Sequence, residues 1–440
     1  MGISPIRLRL SALIALAVLL EAVFVYVVWH SAAMPLPRLL LWLTAAGIVY
    51  LIAVWMLVSR RAGVPLGRSA AWLIFAAALV FRLTLLPLTP AVSHQLWRFH
   101  WDGKIEHAGF NPYVYAPANH LFDPIRTPAD ASVPTPQRAA AHPPLAELLL
   151  HWDYNWFPGL RTGKILFVAA DLLLILLLMR MLRGRGLRPE WALIYAWSPL
   201  AVFEVAGNGH LEPVAALLVL LGLGWCDRRA RAAGVSIAAA ATSLWYAVVL
   251  IPVVLVGAGK RWARSLRWGI GLAVVVSAPF WFASRRFVLG DIVRNVRAAG
   301  ARPFNASLYV IARAWFGTHA GAILACALVI AVLVFVCRRR VEPLRAGFLV
   351  VSALLLVLPQ VQPWFMLWLL PLMVFFPEAA WLYFSVAVLW AYAVGSSEAG
   401  VIAEYVPLYA LLAWQAWRNR RQPAATTSAP NGGRVAQAQP

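Results

Sequence analysis

Hydrophobic and polar positions fall along this chain in long blocks, not in the short periods of a soluble domain. Apolar runs occupy 8–29, 37–58, 70–88, 164–183, 189–205, 210–226, 266–283, 318–337, 346–361, 364–377, 379–395 and 402–417. A helix needs roughly 20 residues to cross a bilayer, so each run is near spanning length, and the short ones suit helices that tilt or stop at a cavity inside the protein. The run 233–256 resists counting as one span. Arg228, Arg229 and Arg231 precede it, and Lys260, Arg261 and Arg264 follow it. With both flanks on one side it must enter and return, as two half-length helices bending near Ser243–Tyr246 would do. The pattern predicts an all-α polytopic membrane protein, a bundle of about 12–14 spanning or half-spanning helices with a large first external loop. Residues 1–421 read as a single transmembrane domain, and the polar, Pro-rich tail 422–440 as disordered.

The short basic clusters set the orientation. The N-terminus, 59–68, 180–188, 228–231, 260–267, 338–345 and 418–421 belong on the cytoplasmic side, with both termini. Segment 89–163 is then external, and 284–317 is a second external loop. That second loop breaks the charge rule: Arg285, Arg286, Arg294, Arg297 and Arg302 face Asp291 alone over 284–303. Two readings fit an arginine-flanked helix in the headgroup region. It anchors on anionic membrane lipid, or it holds the phosphate of a lipid substrate.

The stretch Ser93–His151 differs from everything else. It is polar, rich in Pro, and holds six of the nine histidines: His94, His100, His107, His120, His142 and His151. Its backbone cannot be satisfied in lipid. Its aromatic residues (Trp97, Trp101, Phe110, Tyr113, Tyr115) argue for an ordered structure. Composition adds two exclusions. The net charge of +21 would suggest nucleic acid in a soluble domain, but here it sits in anchors between apolar runs, in a chain that is 62% hydrophobic with a mean hydropathy of +0.74. Cys226, Cys326 and Cys337 form no CxxC pair, so neither a disulfide framework nor a cysteine metal site is indicated.

Within the loop, Asp102 and Glu106 share a helical face if WDGKIEHAG is helical, with Arg98 and Lys104 beside them. A carboxylate there can deprotonate a hydroxyl. His94, with a near-neutral free pKa, is an alternative base. A solvated amphipathic helix accounts for the same residues without chemistry. Asn111–Pro117 is a rigid turn whose Tyr113 and Tyr115 either stack on a sugar or isoprenoid or pack on the bundle. His142-Pro143-Pro144 leads into an apolar segment. Asn208, His210 and Glu212 lie in the GNGHLEP break between two apolar runs. Ionisable groups at membrane depth are functional by default, which also flags Arg82, Asp171 and Glu204. Gln362 and Trp364 sit in another external break. A lone HxE spacing is a weak metal signal, so no metal and no cofactor is expected.

These segments, in this order, carry a resemblance. RFHWDGKIEHAGFNPYVYAP through HPPLAELL, Lys164 with Asp171, SPLAVFEVAGNGHLEP, FNASLY, LPQVQPWFMLWLLP and EYVPLYALL span about residues 80–415. Together they resemble bacterial polytopic mannosyltransferases of the glycosyltransferase-C superfamily, of the polyprenol-phosphate-mannose-dependent type. The resemblance implies an inverting, metal-independent transferase of the bacterial plasma membrane with its site on the extracytoplasmic face. Its donor would be a polyprenyl-phosphate-linked sugar, its acceptor a glycan or lipid, and its base an acidic residue of the first external loop. Taken together, the residue readings and the resemblance give expected substrate contacts at Arg82, Arg98, Lys104, Asn111, Tyr113, Tyr115, Asn208, His210, Glu212, Gln362 and Trp364. The chain departs from the pattern at three polar positions. Ser93-His94-Gln95 stands where members carry Ser and an acidic pair, Trp245 where they often carry Lys, and Gln362 where they often carry His. The base therefore falls to Asp102 or His94, with Glu106 behind them. Otherwise the donor and acceptor differ, or the chain is a non-catalytic relative that binds lipid-linked sugar or partners a transferase. A secondary transporter is the remaining alternative, against which stands the lack of an internal repeat.

Overall fold

A computed structural model describes residues 5–59, 66–90, 92–283 and 301–421. Arg285, Arg286, Arg294, Arg297 and the tail 422–440, on which expectations were placed, lie outside the described residues. The regular elements among the described residues are all helices, and one β-bridge among them joins Phe304 to Gln360.

Three helices open the chain: α1 (Pro5–His30), α2 (Leu36–Val58) and α3 (Arg68–Leu85). The large loop contributes α4 (Gln95–His107) and α5 (Pro144–Trp156), and α6 (Ile165–Gly184) returns through the bundle. Among the described residues five helices are long and apolar enough to cross a membrane, or six if a bent pair counts as one span. Several expected spans are instead broken. Segment 189–205 is divided into α7 (Leu193–Ala196), α8 (Pro199–Val202) and a π-turn at Phe203–Gly207. The region after Gln362 is broken likewise, by Pro363 and Pro371, each of which lacks an amide donor. Such breaks survive because they are buried in protein, where neighbouring chain supplies hydrogen bonds. Ser198, for example, is buried and accepts from the Ala201 amide.

The region 233–256 bends as expected. Helix α9 (Glu212–Trp225) leads to α10 (Ala230–Ser243). Leu244 is extended, and the chain returns through a 3-10 turn, Trp245–Leu250, and α11 (Ile251–Gly257). Gly234 permits α12 (Trp262–Ala283) to lie directly on α10, since a Cβ there would meet the Ser265 carbonyl at 1.9 Å. The long α13 (Leu308–Arg338) begins inside the expected second loop and kinks at Gly317, whose φ is +81°.

The breaks gather at one end of the bundle. Lys164 Nζ donates to the carbonyls of Leu88, Ala206 and Gly207. Trp245 donates to the Ala141 carbonyl, and Asn111 to that of Phe280. The Asn305 amide donates to Gly395, and Tyr392 to Glu204. The basic turns gather at the other end, where Arg185 pairs with Glu342 and Arg345 with Glu378. A cavity of about 680 Å³ between Arg185, Arg228 and Glu342 lies at that basic end, remote from the large loop.

Candidate functional site

Helix α4 carries Arg98, Asp102 and Glu106 at four-residue intervals, so all three project from one face. Arg98 is held on both sides. Its Nε donates to Asp102 Oδ2 at 2.8 Å and its Nη1 to the Arg138 carbonyl at 2.9 Å. Asp102 is fully buried, and its second oxygen has no hydrogen-bond partner. Against this face lies α5. The two helices approach closely because residue 103 is glycine: a Cβ there would stand 2.3 Å from the Leu150 carbonyl oxygen. That approach brings in Glu147, from the first turn of α5. It is fully buried, and neither of its oxygens has a hydrogen-bond partner. His142, at the turn before α5, faces it with Nδ1 3.7 Å from Glu147 Oε1. Tyr113 fixes that turn, its hydroxyl donating to the His142 carbonyl at 2.6 Å.

The electrostatics are unbalanced. Burial pushes the Asp102 carboxyl up, against the pull of Arg98. Burial and the Asp102 charge carry Glu106 to about 9. Burial, then Asp102 and Glu106, raise Glu147 well above the carboxylate range. Burial and the neighbouring Arg98 lower His142 to about 3, keeping it neutral. The cluster therefore favours protonated carboxyls. The Asp102, His142 and Glu147 side chains each offer a ligand atom, and these atoms lie within 4.8 Å of one another.

A second polar group lies in the GNGHLEP break. The Phe203–Gly207 π-turn is capped by Asn208 and followed by Gly209 at φ +77°, where a Cβ would meet Leu96 of α4 at 2.8 Å. Helix α4 thus rests on this turn. His210 lies between Glu204 (Nε2–Oε2 3.3 Å) and Glu212 (Nδ1–Oε2 3.7 Å), and its ring stacks on Trp364 with centroids 4.3 Å apart. Asn208 donates to Glu204 at 2.9 Å. The expected substrate residues Asn208, His210, Glu212 and Trp364 therefore come together, with Gln362 half-buried two residues away in the chain.

Other expected residues are committed elsewhere. Arg82 is buried in the bundle, paired with Asp171 and donating to the carbonyls of Ala78 and Ala196. Lys104 pairs with Asp130 at 2.8 Å. Tyr115 packs in a small core of the loop with Phe110 and Phe122. His94 is exposed at the start of α4, two turns from Asp102. Arg302 is exposed, its carbonyl accepting from Gln360. Sequence reasoning missed Glu147 and the role of His142. The available signal was an acidic residue three positions after the Pro pair, opening an otherwise apolar helix.

The family model described as alpha-(1->6)-mannopyranosyltransferase, N-terminal domain (MptA_B family) matches residues 8–260, more than half of the chain. No curated protein and no solved structure matches.

Proposed function

The chain belongs to the MptA_B family of alpha-(1->6)-mannopyranosyltransferases, and from that premise we propose how its loop cluster serves mannosyl transfer. The chain is a multi-pass membrane glycosyltransferase. The donor is a polyprenyl-phosphate-linked mannose, and the acceptor is a hydroxyl of a glycan or lipid at the extracytoplasmic face. Asp102 is the base. It takes the acceptor proton on its free oxygen while Arg98 holds the other. The acceptor oxygen attacks the anomeric carbon as the bond to the lipid phosphate breaks, and the phosphate leaves with the electron pair. Attack from the opposite face inverts the centre, so an α-linked product requires a β-linked donor. The arginines at 285–297 and Arg302 receive the phosphate charge. His210 and Trp364 form the platform for the sugar. The step as drawn needs no metal.

The observation that carries this reading is the buried Arg98–Asp102–Glu147 cluster, with carboxylate oxygens left unpartnered, inside the one large polar insert of an apolar chain. The test is transfer in proteoliposomes from radiolabelled polyprenyl-phosphate mannose to a lipid extract. Asp102→Asn is expected to lose about 100-fold or more, in line with removal of a general base, with donor binding retained. Full activity in Asp102→Asn would move the base to Glu147 or His94. Donor binding without turnover in the wild type would favour a non-catalytic relative.

A further inference from the structure

The same corner of the loop holds more ligand atoms than proton transfer requires. Asp102 comes from α4, His142 from the turn before α5, and Glu147 from its first turn, and their ligand atoms converge within 4.8 Å. Both Glu147 oxygens, Asp102 Oδ1 and His142 Nδ1 lack hydrogen-bond partners, although Asp102 and Glu147 are fully buried. Buried polar groups are rarely left so. The charges ask for the same thing. Among the described residues Arg98 is the cation that pulls on Asp102 and Glu147, and with neighbouring Glu106 the three carboxylates, if ionised, exceed its charge by two. Arg98 occupies Asp102 Oδ2 and leaves Oδ1 free.

We propose that Asp102, His142 and Glu147 form a site for a divalent transition-metal ion. One imidazole with two carboxylates suits Mn²⁺ or Zn²⁺ better than Mg²⁺ or Ca²⁺, which favour oxygen alone. The neutral His142 presents a free lone pair, and α5 and α4 hold the carboxylates on rigid helices. The ion takes the Asp102 oxygen that would otherwise accept a proton. Bound metal is therefore a brake on transfer, not a participant in it. This second step rests on the reading of Asp102 as the base; ion binding does not.

The experiment uses the full chain, purified in detergent and stripped of metal, and titrates it with Mn²⁺ by electron paramagnetic resonance. One saturable site per chain is expected, displaced by Zn²⁺, lost in Glu147→Gln and His142→Ala, and retained in His94→Ala. Glu147→Gln keeps the side-chain shape, and the melting temperature of each metal-free variant checks its fold. No saturable Mn²⁺ signal, or equal binding in both variants, would overturn the site. In the transfer assay Zn²⁺ is expected to lower wild-type activity several-fold, reversibly with chelator, with a smaller fractional loss in His142→Ala. Stimulation by Zn²⁺ would overturn the brake. Absence of transfer in every preparation would count against the transferase reading, and the Mn²⁺ titration would still decide the site.

Discussion

Glu106 links the loop to pH. Its ordinary pKa of 4.5 rises to about 9 through burial and the Asp102 charge. Between these values the folded chain holds a proton that the unfolded chain has released. The stability this confers is present in full below the lower value and is lost as pH rises through the upper one. The melting temperature of the metal-free protein is therefore expected to fall from about pH 5 to about pH 10, and Glu106→Gln to flatten the slope. A slope unchanged in that variant would assign the titration to another group. The Asp102 charge raises Glu147 in the same sense, so Glu147 is still protonated while Asp102 ionises, and Glu147→Gln is expected to leave the acidic limb of the transfer rate where it is. The sequence marked Asp102 and Glu106 because a four-residue interval is visible in one helix. It did not mark Glu147, whose neighbour Asp102 lies 45 residues earlier in the chain.

At the scale of elements, the site depends on how α4 lies between α5 and the Gly207–Pro213 turn. Gly103 and Gly209 are the two positions where a side chain would push these elements apart, and Gly209 also needs its positive φ. Gly103→Ala places a methyl against a backbone carbonyl that cannot step aside. Overpacking of this kind costs about 1–3 kcal/mol. We expect a lower melting temperature and a transfer rate reduced more than the fold loss explains, because the shift separates Asp102 from Glu147. Rate and melting temperature unchanged in Gly103→Ala would show that the close approach of the helices is dispensable. The sequence foresaw the helix, the Pro-led turn and the re-entrant bend at Leu244. It could not foresee that Trp245 of that bend would reach the Ala141 carbonyl beside His142.

At the scale of the whole molecule, Arg82 and Asp171 tie α3 to α6 in the apolar interior, with Tyr195 donating to the same carboxylate. Breaking a buried pair from one side leaves a charge uncompensated, at about 3–5 kcal/mol, whereas replacing both by apolar residues is often near neutral. Asp171→Leu alone should therefore destabilise the bundle strongly, and Arg82→Met with Asp171→Leu should recover much of the loss in thermal melts. If the double variant is no better than the single, Arg82 has a role beyond the pair. The two ends of the molecule divide the work. Basic turns lie at one end. At the other end lie the helix breaks, the large loop and both polar clusters.

Most of this architecture follows from local pattern. Apolar runs of spanning length, arginines between them and one long polar insert determine a polytopic all-α protein, because burying a backbone in lipid leaves few alternatives. The order of motifs along 80–415 pointed to the family as well. Tertiary structure alone decided which polar groups meet. Arg82 and Lys104 found structural partners in Asp171 and Asp130, while Glu147 and His142 joined Asp102. Those pairings depend on helix packing between segments distant in sequence. Periodicity along one helix carries no record of which neighbour will press against it.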